Sequence, residues 1–168
     1  MSRFFIALLF VLFVTFPVYD VKSAHEKRLD EIAERGSHVM PFDLDKTIHI
    51  FTKTNEGGLQ QVIAKDKSDS EQIHLIRKHL LGISTEFSQG DFSKPAQIHG
   101  DDMPGLAVLQ SAKVDQILIE YKELPDGAQI SYSSQSPPFI EAIHQWIDAQ
   151  LSDHARHAMP GHPHKHQH

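Results

Sequence analysis

Apolar positions along this chain change their spacing several times, and each change marks an element. In residues 26–35 the apolar positions Leu29, Ile32 and Ala33 recur at helical spacing in a charged stretch, and Gly36 follows, which predicts a short helix. In residues 46–53 the period shortens to two, Ile48 and Ile50 alternating with His49 and Phe51. Asn55-Glu56-Gly57-Gly58 reads as a turn and residues 59–65 as the answering strand of a β-hairpin. Ile73, Ile76, Leu80, Ile83 and Phe87 then form one helical stripe, capped by Asp69 or Ser70 and ended by Gly90. A loop over residues 91–100 leads to a short helix with Asp102 as N-cap, Pro104 in its first turn, and Leu106 and Leu109 facing inward. A second hairpin follows, strands 114–123 and 128–134 about a Pro125-Asp126-Gly127 turn. Pro137-Pro138 opens a last helix with Ile140, Ile143, Ile147 and Leu151 as its stripe, Phe139 and Trp146 beside it, and Pro160-Gly161 as its stop.

The two halves share letters at a fixed offset. Ile48-His49-Ile50 precedes Ile117-Leu118-Ile119 by 69 residues, as Gly58 precedes Gly127, and Ile73-His74 precedes Ile143-His144 by 70. This internal repeat predicts an α+β fold: a two-layer sandwich of two ββα units, with a four-stranded, mainly antiparallel sheet and the helices on one face.

The N-terminus changes the picture of where this fold works. Residues 4–16 are apolar except Thr15, preceded by Arg3 and followed by Pro17 and Asp20, with Val21 and Ser23 at the −3 and −1 positions of a cleavage site. Thirteen apolar residues fall short of the ~20 a membrane-spanning helix needs. Residues 1–23 therefore read as a signal peptide, and the protein as periplasmic or secreted without stable membrane insertion after cleavage. The expected organisation is a helical segment at 24–37, one domain at 38–158 and a His-rich flexible tail at 159–168.

Charge and composition exclude several classes. The formal charge is −6 with no basic stripe, which excludes nucleic acid as a partner. The absence of Cys excludes a disulfide framework, thiolate metal ligands and a thiol nucleophile. No phosphate-binding glycine loop, Gly-x-Ser-x-Gly elbow or His-Glu-x-x-His helix occurs. Thirteen residues are His, and six of them lie in the last 15 positions.

Imidazole at that density suits Cu, Zn or Ni, and a thioether adds a preference for Cu(I). The tail supplies Met159, His162, His164, His166 and His168. His154 and His157 stand at i, i+3 on the expected end of the last helix, with Asp153 placed to orient His157 or join it. His38, beside Met40, and His99, followed by Met103, are further candidate ligands on loops. His49, His74, His79 and His144 read as structural.

Several short blocks carry a resemblance: Met40-Pro41-Phe42-Asp43-Leu44, Gly90-Asp91-Phe92, Ile98-His99-Gly100 through Met103-Pro104-Gly105-Leu106, Leu124-Pro125-Asp126-Gly127-Ala128, and His144-Gln145-Trp146 through Asp153-His154. Over residues 38–158 they resemble a group of small exported bacterial proteins, some of which are labelled aspartate carbamoyltransferase. The resemblance implies export and a compact single domain. It implies no transfer of carbamoyl groups, because those enzymes carry a Ser-Thr-Arg-Thr loop and a His-Pro-Thr-Gln segment, and Ser84-Thr85-Glu86-Phe87 matches the first in two letters only. Asp43-Leu44-Asp45-Lys46-Thr47 also resembles the nucleophile motif of haloacid-dehalogenase phosphatases, but Pro41 and Met40 precede it where that fold has a buried strand.

The expected function is thus a metal-binding accessory or buffering protein that uses its His-rich C-terminus, with metal ions and an unidentified periplasmic protein as partners. The alternative is a metal-independent ligand- or protein-binding module, with an open sheet face and no His gathered in space. A hydrolase or transferase ranks third and requires a pocket in which His99, Asp101 or Asp102 meets Asp43.

Overall fold

The computed structural model describes residues 19–162. The proposed signal peptide lies outside the described residues up to position 18, as do His164, His166 and His168. Helix α1 (Tyr19–Val39) starts before the expected cleavage point and continues through Gly36. A helical Gly costs ~1 kcal/mol, and burial of Leu29, Ile32 and Met40 outweighs it; the Met40 methyl packs against Gly36. A 3₁₀ turn over Leu44–Lys46, capped by the Asp43 carboxylate on the Asp45 N–H at 2.8 Å, redirects the chain into β1 (Thr47–Thr54). Asn55-Glu56 alone turns it into β2 (Gly57–Ala64).

Helix α2 (Ser70–Ser88) is capped by Asp69, which accepts from the Gln72 N–H at 3.1 Å, and buries the expected stripe from Ile73 to Phe87. The expected loop over 91–100 holds a helix instead, α3 (Ser93–His99). Asp91 receives the Ser93 N–H at 2.9 Å, and Pro95 fits the first turn, where its missing N–H has no partner to lose. Helix α4 (Leu106–Gln110) starts after Gly105 rather than at Asp102. Gly105 has φ +79°, and a Cβ there would strike the Ala142 carbonyl, so glycine sets the approach of α4 to the next long helix. Strands β3 (Leu118–Leu124) and β4 (Gly127–Ser133) form the second hairpin, followed by α5 (Pro137–Asp153). That helix ends at Asp153, earlier than expected, and Ala158–Pro160 form a short strand, β5.

The fold is α+β, and its sheet has five strands, not four, in the order β3-β4-β2-β1-β5. All pairings are antiparallel except β1 with β5. The start of the expected flexible tail, Met159 and Pro160, is therefore the sheet edge. Two bare ββα units do not describe the molecule: α1, α3, α4 and β5 are additional, and the long helices cross over. Helix α2, which follows the first hairpin, packs on β4 and β3, whereas α5, which follows the second, packs on β2 and β1. Both lie on one face of the sheet, where Tyr132 of β4 meets Phe87 of α2 and Trp146 of α5 at ring separations of 6.3 and 5.2 Å. Among the described residues no helix is long and apolar enough to cross a membrane.

Candidate functional site

Strand β1 turns its histidine inward and its isoleucines outward. Thr47, His49 and Phe51 face the helices and are at most 3 % exposed, whereas Ile48 and Ile50 are half-buried on the other face. His49 donates its backbone N–H to the His157 carbonyl at 2.8 Å, which ties β5 to β1. Its side-chain Nδ1 is buried without a partner.

Three helices bring further imidazoles toward His49. His154, the C-cap of α5, stacks its ring on His49 at 5.5 Å and 5°. His99, the last residue of α3, stands edge-on to His154 at 4.9 Å and 86°. His79 of α2 meets Phe42 edge-on at 5.5 Å, and Phe42 in turn lies 5.8 Å from His49. All four histidines line one cavity of about 50 Å³, walled by Met40, Phe42 and Ile98 among others. Such a space holds an ion with a water or a few waters, since one water needs ~10–15 Å³ of this kind of room. Trp146 also lines it, and its Nε1–H, like His49 Nδ1, is buried and unpartnered.

One imidazole is held rigidly. His99 Nδ1 lies 2.8 Å from Asp153 Oδ2, with both side chains buried. Arg28 of α1 clamps the same carboxylate with two 2.9 Å bonds, one to each oxygen. Burial alone would raise the Asp153 carboxyl, but the bonds from His99 and Arg28 and their charges outweigh it and hold it below its ordinary value. The other imidazoles are kept neutral. Burial, together with neighbouring His157 and His79, lowers His49 to about 4. Burial and the Lys94 ammonium lower His79 to about 4. Burial and its histidine neighbours lower His154 well below the usual range.

The candidate ligands divide accordingly. His99 and His154 come together in the cavity with His49 and His79, which sequence reasoning had assigned to structure. His157 does not join them: α5 has already ended, and His157 lies toward the sheet edge, 3.9 Å from the Asp45 carboxylate. Asp153 orients His99, not His157. Met159 is half exposed on β5, Met103 is in the hydrophobic core outside the cavity wall, and His38 and His162 are exposed. Asp43, Asp101 and Asp102 are exposed, and none lines the cavity, so the pocket that the hydrolase or transferase reading required is not formed there. Among the described residues no three His, Asp or Glu side chains stand ready to hold a metal ion in this packing.

An imidazole oriented by a buried carboxylate serves either as a general base for a nucleophile or as a metal ligand. The cavity wall contains no Ser, Thr or Cys that could be the nucleophile. Its histidines are mostly neutral, the state in which imidazole donates a lone pair to a metal. The blocks from residues 40–44, 98–100 and 144–154 meet around this cavity through Met40, Phe42, His99, Trp146 and His154. No family model, curated protein or solved structure matches the chain.

Proposed function

We propose that this chain is an exported accessory protein that binds or buffers a transition-metal ion, Cu, Zn or Ni, in the inner imidazole cavity. The observation that carries this reading is His99, fixed by buried Asp153, lining one cavity with His49 and His154 and with no Ser, Thr or Cys in its wall. Export rests on the basic start and apolar run of the N-terminus. Capture requires the stacked rings of His49 and His154 to turn about χ2, a broad, shallow torsion. The C-terminal histidines then act as a first, unselective collector for an ion that the interior holds.

The test is equilibrium dialysis of the full chain against Cu(I) under anaerobic conditions, Zn(II) and Ni(II), beside a variant with His162, His164, His166 and His168 changed to Gln and a His99→Gln variant. One equivalent that survives the tail substitutions and is lost with His99→Gln is the expected result. Failure to bind any of the three tighter than about 1 mM, or binding lost with the tail alone, overturns the reading.

A second reading draws on the outer face of the sheet. Ile48, Ile50, Leu59 and Ile63 are only half-buried there, and Leu118 and Met159 are 57 % and 49 % exposed. A protein partner covering that face would use the molecule without metal; sedimentation that shows a lone monomer, with no added partner that raises its mass, removes it.

A further inference from the structure

The donor set at the cavity is unusual in its charge. His49, His79 and His154 carry no counter-charge of their own, and Met40 contributes a thioether to the same wall. The one carboxylate at the cluster, Asp153, is already neutralised by the two-bonded Arg28 guanidinium, and Lys94 adds a positive charge to the lining. A divalent ion placed here would find no free negative charge, and its desolvation cost, which scales with the square of charge, is roughly four times that of a monovalent ion. Soft, neutral nitrogen and sulfur donors in a largely apolar wall match a soft monovalent ion.

We infer that the cavity is a Cu(I) site formed by His49, His99 and His154 with Met40 as a thioether donor. This rests on the metal-binding reading above and narrows it. His49 supplies the independent sign of a missing ligand: its ring is 3 % exposed, and its Nδ1 has no partner in the protein. Cu(I) accepts two to four donors without a fixed octahedral or square shape, so a cluster that closes on itself by ring stacking can open to it with ring rotations alone. The small volume leaves no place for the several waters that Ni(II) retains. His79, at the far side of Phe42, is a neighbour of the site and not a ligand.

The experiment is an anaerobic competition for Cu(I) against bicinchoninate, and in parallel for Zn(II) against a chromophoric chelator. The proteins are the full chain, the four-Gln tail variant, His99→Gln, His154→Asn and Met40→Leu, each checked for native near-UV circular dichroism. Met40→Leu conserves volume and keeps the test open if a histidine variant fails to fold. The expected result is one Cu(I) retained by the tail variant, weakened ~100-fold or more by His99→Gln or His154→Asn and ~10-fold by Met40→Leu. Zn(II) binding is unchanged by Met40→Leu, and X-ray absorption shows one sulfur among the Cu(I) neighbours. If Zn(II) depends on the cavity histidines while Cu(I) does not, or if Met40→Leu leaves Cu(I) untouched and no sulfur is seen, the Cu(I) assignment fails and the metal-binding reading stands. If neither ion responds to any cavity substitution in a folded protein, both fail.

Discussion

The two hairpins of the sheet turn different chemistry toward the same pair of helices. The second puts Ala128, Ile130 and Tyr132 of β4 against them, and those residues are 0 to 4 % exposed. It has two inward hydroxyls: that of Tyr132 donates to Gln60 Oε1 at 2.7 Å, and that of Tyr121 on β3, opposite Ile130, is buried without a partner. The first puts Thr47, His49 and Gln60 on the same face, and the packing there leaves a cavity and an orphaned ring nitrogen. One hairpin is core that happens to be a sheet; the other gives up core to hold imidazoles. A buried polar atom without a partner costs ~1–3 kcal/mol, and each hairpin carries one; what differs is the desolvation cost of the buried imidazoles, which should make the first hairpin the less stable side.

The largest expected effect lies on the core side. Ile130→Ala removes a fully buried side chain of β4, the strand on which α2 packs, and should cost ~3 kcal/mol in guanidinium unfolding. The matching change on the other hairpin should behave oppositely. His49→Leu removes the orphan Nδ1 and replaces a ring by a side chain of similar reach, so unfolding near pH 7 should show no loss, or a gain of ~1 kcal/mol, while metal capture disappears. A loss of several kcal/mol with His49→Leu would mean that the cavity is ordinary core and the comparison is false.

Acid should separate the hairpins again, with an effect of about the same size. His49 titrates at about 4 in the folded chain and at 6.5 without the fold. Above pH 6.5 neither state binds the proton, and stability is complete. Between 6.5 and 4 the unfolded chain takes a proton that the folded one refuses, so stability falls as pH falls, by ~1.4 kcal/mol per pH unit, on the order of 3 kcal/mol in all. His79 adds in the same sense. In metal-free protein, His49→Leu should remove its share of this slope between pH 6.5 and 4 while His79 and His154 keep the rest, and Ile130→Ala should leave it intact.

Asp153→Asn comes next. It leaves His99 and Arg28 without their shared carboxylate, a buried loss; Arg28 is half exposed, however, and water replaces much of its share. About 2 kcal/mol is expected from chemical unfolding, with the loss of metal capture larger in proportion than the loss of stability, because Asp153 fixes the His99 tautomer.

Much of the fold was legible because the stripes were long. The α2 stripe, the Asp69 cap, both hairpins and the start of α5 follow from spacing and turn residues. Helix α3 was hidden because seven residues with a proline give no period to read, and β5 because three residues before Gly161 give none either. The site was half legible. His99 and His154 were singled out by density and by their loop and helix-end positions. His49 was not, because alternation with Ile48 and Ile50 shows only that it faces away from them, not which face is inside. The available signal was Phe51, two residues on and on the same side as His49.

The smallest predicted effect tests the letter repeat itself. An offset of 69 pairs His49 with Leu118 and Gly58 with Gly127. In the sheet these pairs point oppositely: His49 and Gly58 face the helices, whereas Leu118, 57 % exposed, lies on the outer face with Gly127. A one-residue slip inverts every side chain of a strand, so shared letters at that offset do not make shared environments. Leu118→Lys should therefore change stability by less than ~0.5 kcal/mol and leave metal capture unchanged. A loss of ~2 kcal/mol or more would place Leu118 in a core equivalent to that of His49 and restore the repeat as a structural one.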